Sequence, residues 1–555
     1  MSFPHTPAPS SQSSTARHHR TGVSYGHPIA FGFGLLATTI GTLLQMPMFF
    51  EARSMHYHLA GMPITTGMIL SMALTYVGVG ITAYGLFPAE RYANGQAEPV
   101  DVTPLDDAPI RPAHIALLFV LAAAVTIDVM KPVALAFTAP GAAAEYGLES
   151  ALHPHAQALP IALYPLSGIV GTMIGSLIWG WLGDRVGRRA SILLAAVVFV
   201  ATSTCGAMPA YWLNLVMCFT MGLGVGGMLP ITFALLSETV PRRHRGWMMV
   251  LIGSDIAGAY ILVSWLAATW AAPDRFGWRM LWLIGFPTGL LLLVLNRWIP
   301  ESPRFLLMRG RIDEATAVMR RYGAAIVESH PGYRDAHDPD SGFRLFFSRP
   351  LIGLSTAVIL LALSIGTTQY GFQQWMPSNL QRIGFSAVDA STILRNSATL
   401  GFPLSIPLAL LYGFWSSKKT ILAVTAMMAI SLSVFVALGD RVADNHALMY
   451  TLLVIPIWGI SLLNALLAAY TAELYPTVIR ARSSGLSAGA TKAGGVLILA
   501  AAVTAIAAPS IRLSAAIGVV PMALAFLALT IFGPETRHRS LEQITAAQFE
   551  RGTSR

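Results

Sequence analysis

The chain has 555 residues, 54% of them hydrophobic and 11% charged, against about 25% charged in soluble domains. That composition excludes a string of soluble domains and suits apolar spans of about 20 residues each. The net charge of +9 is divided among short Arg-bearing loops, which excludes a nucleic-acid surface.

Residues 1–27 are rich in Ser, Pro and His. They are predicted to be a disordered tail, too polar and long for the head of a signal peptide. Apolar spans near 28–50 and 64–88 come next, then a polar linker over 89–111 with Asp101, Asp106 and Asp107. Six spans follow near 112–138, 160–182, 190–208, 211–236, 247–271 and 279–299. The stretch 300–349 carries eight arginines and reads as a central loop. Six more spans lie near 351–376, 390–415, 420–438, 447–472, 484–508 and 511–532, ahead of a polar tail over 533–555. The expected architecture is an all-α integral membrane protein of about fourteen spans. An extra pair (28–88) precedes two six-helix halves (112–299 and 350–532). The positive-inside bias places the N-terminal tail, the linker, the central loop and the C-terminal tail on the cytoplasmic face of a cell membrane.

The second half repeats marks of the first. Gly180-Trp181-Leu182-Gly183-Asp184-Arg185-Val186-Gly187-Arg188-Arg189 has a weaker copy in Gly413-Phe414-Trp415-Ser416-Ser417-Lys418-Lys419. Glu238, Pro241 and Arg245 repeat as Glu473, Pro476 and Arg480, and Pro300-Glu301-Ser302 repeats as Pro534-Glu535-Thr536. The copies are separated by 233, 235 and 234 positions. Duplication of a helical membrane unit is a signature of secondary transporters.

These residues, with Gly222-Leu223-Gly224-Val225-Gly226-Gly227, Pro303-Arg304 and Ala472-Glu473-Leu474-Tyr475-Pro476, resemble the major facilitator superfamily, in particular its sugar-porter and metabolite–proton symporter branches. The resemblance covers residues 112–540. It implies two halves rocking around a central site. It also implies a cytoplasmic latch of Gly183, Asp184, Arg185, Gly187, Arg188 and Arg189, completed by Glu238, Arg245, Glu301, Glu473 and Arg480. Related symporters carry Asp-x-x-Asp on the first core helix and an Arg on the fourth; here those positions hold Lys131 and Cys218. The paired departures suggest that Lys131 supplies the positive charge missing at Cys218.

Ionisable groups inside hydrocarbon cost at least about 2.5–3.5 kcal/mol and so require a reason. Five are placed deeply: Asp128, Lys131, Asp255, Arg395 and Lys492. Asp128 and Lys131 are three apart and share a helical face; they read as a local ion pair or as a proton-coupling pair with Asp128 the carrier. Asp255 sits among small residues and serves packing or lines a cavity. Arg395 is expected to snorkel to the interface, and Lys492 to face the cavity. Gln369, Tyr370, Gln373, Gln374 and Trp375 close the seventh core helix with amides and rings suited to a polar organic solute. Gln369 and Gln373 are expected on one face. Asn464 is a lone mid-span amide whose default role is helix–helix bonding, with solute binding the alternative.

The sequence therefore reads as a secondary transporter of a small polar organic solute, leaning to an organic anion or a sugar-like metabolite, and coupled to protons. Passive facilitation or drug efflux is the close alternative; a membrane sensor or scaffold is the alternative of another class. Its partners are the solute, protons and the bilayer, and the extra pair reads equally as a docking surface for a partner or as a packing brace. Two cysteines in apolar spans, Cys205 and Cys218, point to neither a disulfide framework nor a metal site. No Gly-x-x-x-x-Gly-Lys loop offers an ATP-driven engine. No nucleophile–base pair stands out, so neither an enzyme nor a cofactor is expected.

Overall fold

The structure is a computed structural model that describes residues 27–87, 105, 108–150, 159–309, 311–324, 346–349, 351–475, 477–504 and 510–536. Residues 1–26 of the expected tail over 1–27, most of the linker and central loop, and the tail beyond 536 lie outside the described residues. So do the side chains of Asp184, Glu473 and Arg480.

Among the described residues, fourteen helices are long and apolar enough to cross a membrane. They are α1 (Pro28–Met55), α2 (Thr66–Leu86), α3 (Pro112–Tyr146), α4 (Leu163–Gly183), α5 (Arg188–Ala207), α6 (Tyr211–Leu236) and α7 (Arg243–Thr269). After these come α8 (Met280–Trp298), α9 (Ile352–Arg382), α10 (Ala387–Phe414), α11 (Ser417–Asp444), α12 (His446–Thr471), α13 (Gly485–Val503) and α14 (Ile511–Phe532). In hydrocarbon each backbone must satisfy its own hydrogen bonds, so apolar runs of this length fold as helices. Several begin at side-chain caps: Thr65 accepts from the Met68 amide, Asn445 from Leu448 and Ser510 from Leu513. Apolar side chains such as Phe119 and Leu177 are exposed on the bundle's outside, as a lipid-facing surface requires.

Several helices outrun their expected ends. α3 does so most, continuing to Tyr146 instead of stopping near 138; α1 continues to Met55 instead of 50, α9 to Arg382 instead of 376 and α11 to Asp444 instead of 438. Pro140 does not break α3 because neighbouring helices hold it: Ala142 and Ala143 are fully buried, and Gly141 lies against the Trp278 ring, where a Cβ would collide.

The duplication is visible in packing. α3 packs on α7 as α9 packs on α13, α4 on α6 as α10 on α12, and α5 on α8 as α11 on α14. Small residues permit the closest approaches. A Cβ on Gly222 would strike the Gly168 carbonyl of α4, and one on Gly366 would strike the Thr491 carbonyl of α13. The halves meet where α4 touches α13, α7 touches α10 and α12, and α3 touches α9. The extra helices α1 and α2 pack tightly on each other and then on α5.

Candidate binding and gating sites

Asp128 and Lys131 lie on α3, each only 1% exposed. They do not form the local ion pair their spacing allows. The Lys131 ammonium turns to α5, where it donates to the Phe199 carbonyl and, at 2.7 Å, to the Thr202 hydroxyl; it also sits 4.1 Å from the Phe199 ring centre. Helix α5 tightens into a 3-10 turn from Thr202 onward, which presents these oxygens to the lysine. Lys131 remains within electrostatic reach of Asp128, Cys205 and Cys218. The Cys218 thiol donates to Asn214 Oδ1 of its own helix at 3.7 Å and lies within the same electrostatic reach, so the lysine and the substituted Cys218 occupy one neighbourhood.

Asp128 Oδ2 is buried with no hydrogen-bond partner. Electrostatically it faces two lysines: Lys131 on its own helix and Lys492 on α13 of the other half. Lys492 crosses between the halves. Its ammonium donates to the Ser176 hydroxyl of α4 and, at 3.4 Å, to the Gly226 carbonyl of α6. Among the described residues no carboxylate lies within ion-pair distance of Lys492, and no cationic side chain within ion-pair distance of Asp128. The site thus holds two ammonium groups bonded to neutral oxygens, and one carboxyl group with an orphaned oxygen. Ionised buried groups of this kind favour a ligand or a proton that completes them.

Asp255 is half-buried in α7 and accepts from the Thr126 hydroxyl, two residues before Asp128. It therefore ties α7 to α3. Gln373, Gln374 and Trp375 are buried in a 3-10 turn that packs against α3. The turn interrupts the regular helix after Gly371, so Gln369 and Gln373 do not share a continuous α-helical face as the spacing suggested. Gln374 Nε2 and Trp375 Nε1 are buried donors without partners, while Gln369 and Tyr370 are half-buried. Asn464 donates back to the Ile460 carbonyl of its own helix at 3.1 Å. Arg395 is half-buried and donates to Asn396 Oδ1 at 3.3 Å. Ser176, Thr126 and Thr202 were not singled out by the sequence, because a lone hydroxyl in an apolar span carries no pattern.

At the opposite level of the bundle, the 180–189 stretch turns at Gly187, whose φ of +102° favours glycine. A Cβ there would also press on the Glu301 carboxylate. Glu301 accepts from the Arg188 amide at 2.7 Å, the Ser302 amide at 3.0 Å and the Arg189 amide at 3.4 Å. It thereby caps α5 from a distance. Burial pushes the Glu301 carboxyl above its usual value, and the Ser302, Arg188 and Arg189 amides pull it back. The Arg188 guanidinium donates to the Gly183 carbonyl at 2.6 Å and lies 3.5 Å from Glu238. Arg189 donates to the Asn296 carbonyl at 3.1 Å, Arg245 to the Val240 carbonyl at 3.3 Å, and Arg185 stacks 4.4 Å from the Trp181 ring. These described contacts join parts of the N-terminal half to one another. The second half repeats the cap: Glu535 accepts from the Ser417 amide at 3.0 Å, the Thr536 amide at 3.1 Å and the Ser416 hydroxyl.

A duplicated twelve-helix core, charges buried where its halves meet and a capped loop at one end define a major facilitator transporter. The profile of the sugar (and other) transporter family matches residues 133–547, and the chain belongs to that family. The chain is 28% identical over 406 residues to the niacin transporter NiaP of Acinetobacter baylyi, covering 71% of this chain and 88% of that one. It is 24% identical over 411 residues to the 4-hydroxybenzoate transporter PcaK of the same organism, covering 71% and 85%. Its fold is similar to that of the proton:xylose symporter XylE from E. coli, at a TM-score of 0.60 and 19% identity over 78% of this chain and 99% of the other.

Proposed function

We propose that this transporter carries a small organic anion, a monocarboxylate in the first instance, together with a proton by alternating access. The observation that carries the proposal is the buried, unpartnered oxygen of Asp128 between Lys131 and Lys492. A carboxyl group so placed alternates between a protonated state and one held by a neighbouring ammonium. Lys492 offers the solute's anionic group a charged donor, and Gln374 and Trp375 offer two neutral ones. Niacin and 4-hydroxybenzoate, named for two relatives, are aromatic acids of this kind, and the Trp375 ring suits their flat faces.

In the proposed cycle Asp128 takes a proton in one orientation, which weakens its attraction for Lys492 and frees that ammonium for the solute. After the halves rock, release of the proton restores the attraction and expels the anion. Asp255 and Asn464 support the surrounding helices, and Gln369, Tyr370 and Gln373 border the solute's path. Residues 112–299 and 350–532 act as the two moving bodies. The loop bearing Arg185, Arg188 and Arg189 faces the cytoplasm by its charge. There Gly183, Gly187, Glu238, Arg245 and Glu301, with Asp184, Glu473 and Arg480, form the gate. The test is uptake of labelled nicotinate, 4-hydroxybenzoate and xylose into proteoliposomes, with and without an imposed pH gradient. Gradient-stimulated uptake of an acid supports the proposal, and uptake of xylose alone overturns the anion assignment.

A further inference from the structure

The extra helices are built to meet each other and then one rim of the core. Gly34, Gly41, Gly78 and Gly85 lie at their contact, each so close to the partner backbone that a Cβ would collide. The chain between them reverses at His56 and Tyr57, both left-handed, with φ of 53° and 61°. That conformation is uncommon for residues other than glycine and persists where surrounding contacts hold it. Tyr57 stacks on Phe49 at 4.8 Å and lies 5.4 Å from Phe276. Phe49, Ala52 and Leu59 share a buried cluster with Leu283 of α8.

The reversal delivers two backbone amides to a buried ion pair. Glu145, at the end of α3, lies 2.8 Å from Arg279, and both side chains are at most 3% exposed. Glu145 Oε1 accepts from the Leu59 amide at 2.7 Å and the Ala60 amide at 3.0 Å, and Oε2 accepts from the Trp278 indole at 2.9 Å. Arg279 completes the group by donating to the Met208 carbonyl at 2.8 Å and the Tyr146 hydroxyl at 3.0 Å. The next amide, of Gly61, donates to the Pro209 carbonyl at 3.3 Å. A buried ion pair is stable only when its remaining hydrogen-bonding groups are satisfied, and here the extra pair supplies two of those bonds. All the partners, on α3, the α7–α8 connection and the α5–α6 turn, belong to the N-terminal half.

We propose that residues 28–87 are a clamp on this rim, anchored by Glu145, that makes the N-terminal half move as one body during transport. The clamp travels with that half and is not a lid that opens. The turnover arms of the test rest on the transport reading above; the exchange arm does not.

The decisive experiment tethers the loop to the rim in the full chain. Ala60→Cys and Ala210→Cys, both at partly exposed positions, are joined by a short bis-methanethiosulfonate, with each single variant as a control, since native Cys205 and Cys218 are buried. The clamp requires uptake to be the same with the tether closed or reduced; uptake that stops on closure and returns on reduction overturns it. In a second arm, Glu145→Gln should speed deuterium exchange of the 56–62 peptide at least about tenfold, as a charge-assisted bond is lost, and lower turnover without changing KM. Unchanged exchange overturns the anchoring role. The swap Glu145→Arg with Arg279→Glu restores an ion pair but points a guanidinium at the two amides. It should fail to restore protection, and full restoration would reduce the group to an ion pair alone. A wild-type chain that moves no solute would sink the transport reading while the exchange arm still judges the anchor.

Discussion

Lys492 of the C-terminal half donates to the Ser176 hydroxyl of the N-terminal half. An ammonium of one half is thus held by the other half through neutral oxygens, a bond that the proposed anionic solute would compete for. Replacing Lys492 with Gln removes the charge and keeps the donor. The expected result is a rise of about tenfold or more in KM for an acid, the weight of one charge-assisted hydrogen bond, while Lys492→Arg stays within a few-fold. Concentration-dependent uptake by the two variants checks this; equal KM values for Lys492→Gln and wild type would remove the lysine from the binding site.

Lys131 and Cys218 share a neighbourhood with Asp128. If the lysine stands in for a cation on α6, Lys131→Ala alone should abolish transport, and adding Cys218→Arg should restore part of it. The measurement is a double-mutant cycle on uptake rate. Cys218→Arg that is equally harmful with and without Lys131 shows the two sites to be independent, and charge relocation is then wrong.

Glu301 and Glu535 occupy equivalent places, each accepting the first amides of a helix across the bundle. Glu301→Ala should destabilise the protein by about 1–3 kcal/mol, the cost of orphaned buried donors. Thermal unfolding in detergent would register it. The wild type also titrates here. With its carboxyl pushed above the usual value by burial, the contribution of Glu301 is full below about pH 4.3 and declines as pH rises through the folded value. The gap in melting temperature between wild type and Glu301→Gln should narrow with rising pH. A gap that widens would contradict that assignment.

Deleting residues 1–111 removes an even number of spans, so the core should insert in its original orientation. It should also melt earlier than the full chain, because Glu145 loses the Leu59 and Ala60 amides. Cysteine accessibility reports orientation and thermal unfolding reports the loss. Inverted insertion would show that the pair directs topology, and unchanged melting would deny it a stabilising role.

The fold was legible because membrane spans are long and a duplicated unit leaves marks at one offset. Pro300-Glu301-Ser302 and Pro534-Glu535-Thr536 proved to be a repeated helix cap. The buried charges were legible too, since each is conspicuous in an apolar run. Their partners were not. Lys131 satisfies itself on the Phe199 carbonyl, and a backbone acceptor has no letter in the sequence. Lys492 reaches Ser176 across the junction of the halves, 316 positions away, and only the assembled fold brings them together. Glu145 escaped notice because the expected span stopped near 138; lateral packing carries α3 past Pro140 to Tyr146.

Proton coupling through Asp128 is most directly tested by comparing net accumulation with exchange in proteoliposomes containing Asp128→Asn. An amide cannot cycle a proton, yet it keeps the size of the carboxyl group. The variant should exchange labelled for unlabelled acid across the membrane and fail to accumulate it under an inward proton gradient. Accumulation equal to wild type under that gradient would contradict the account.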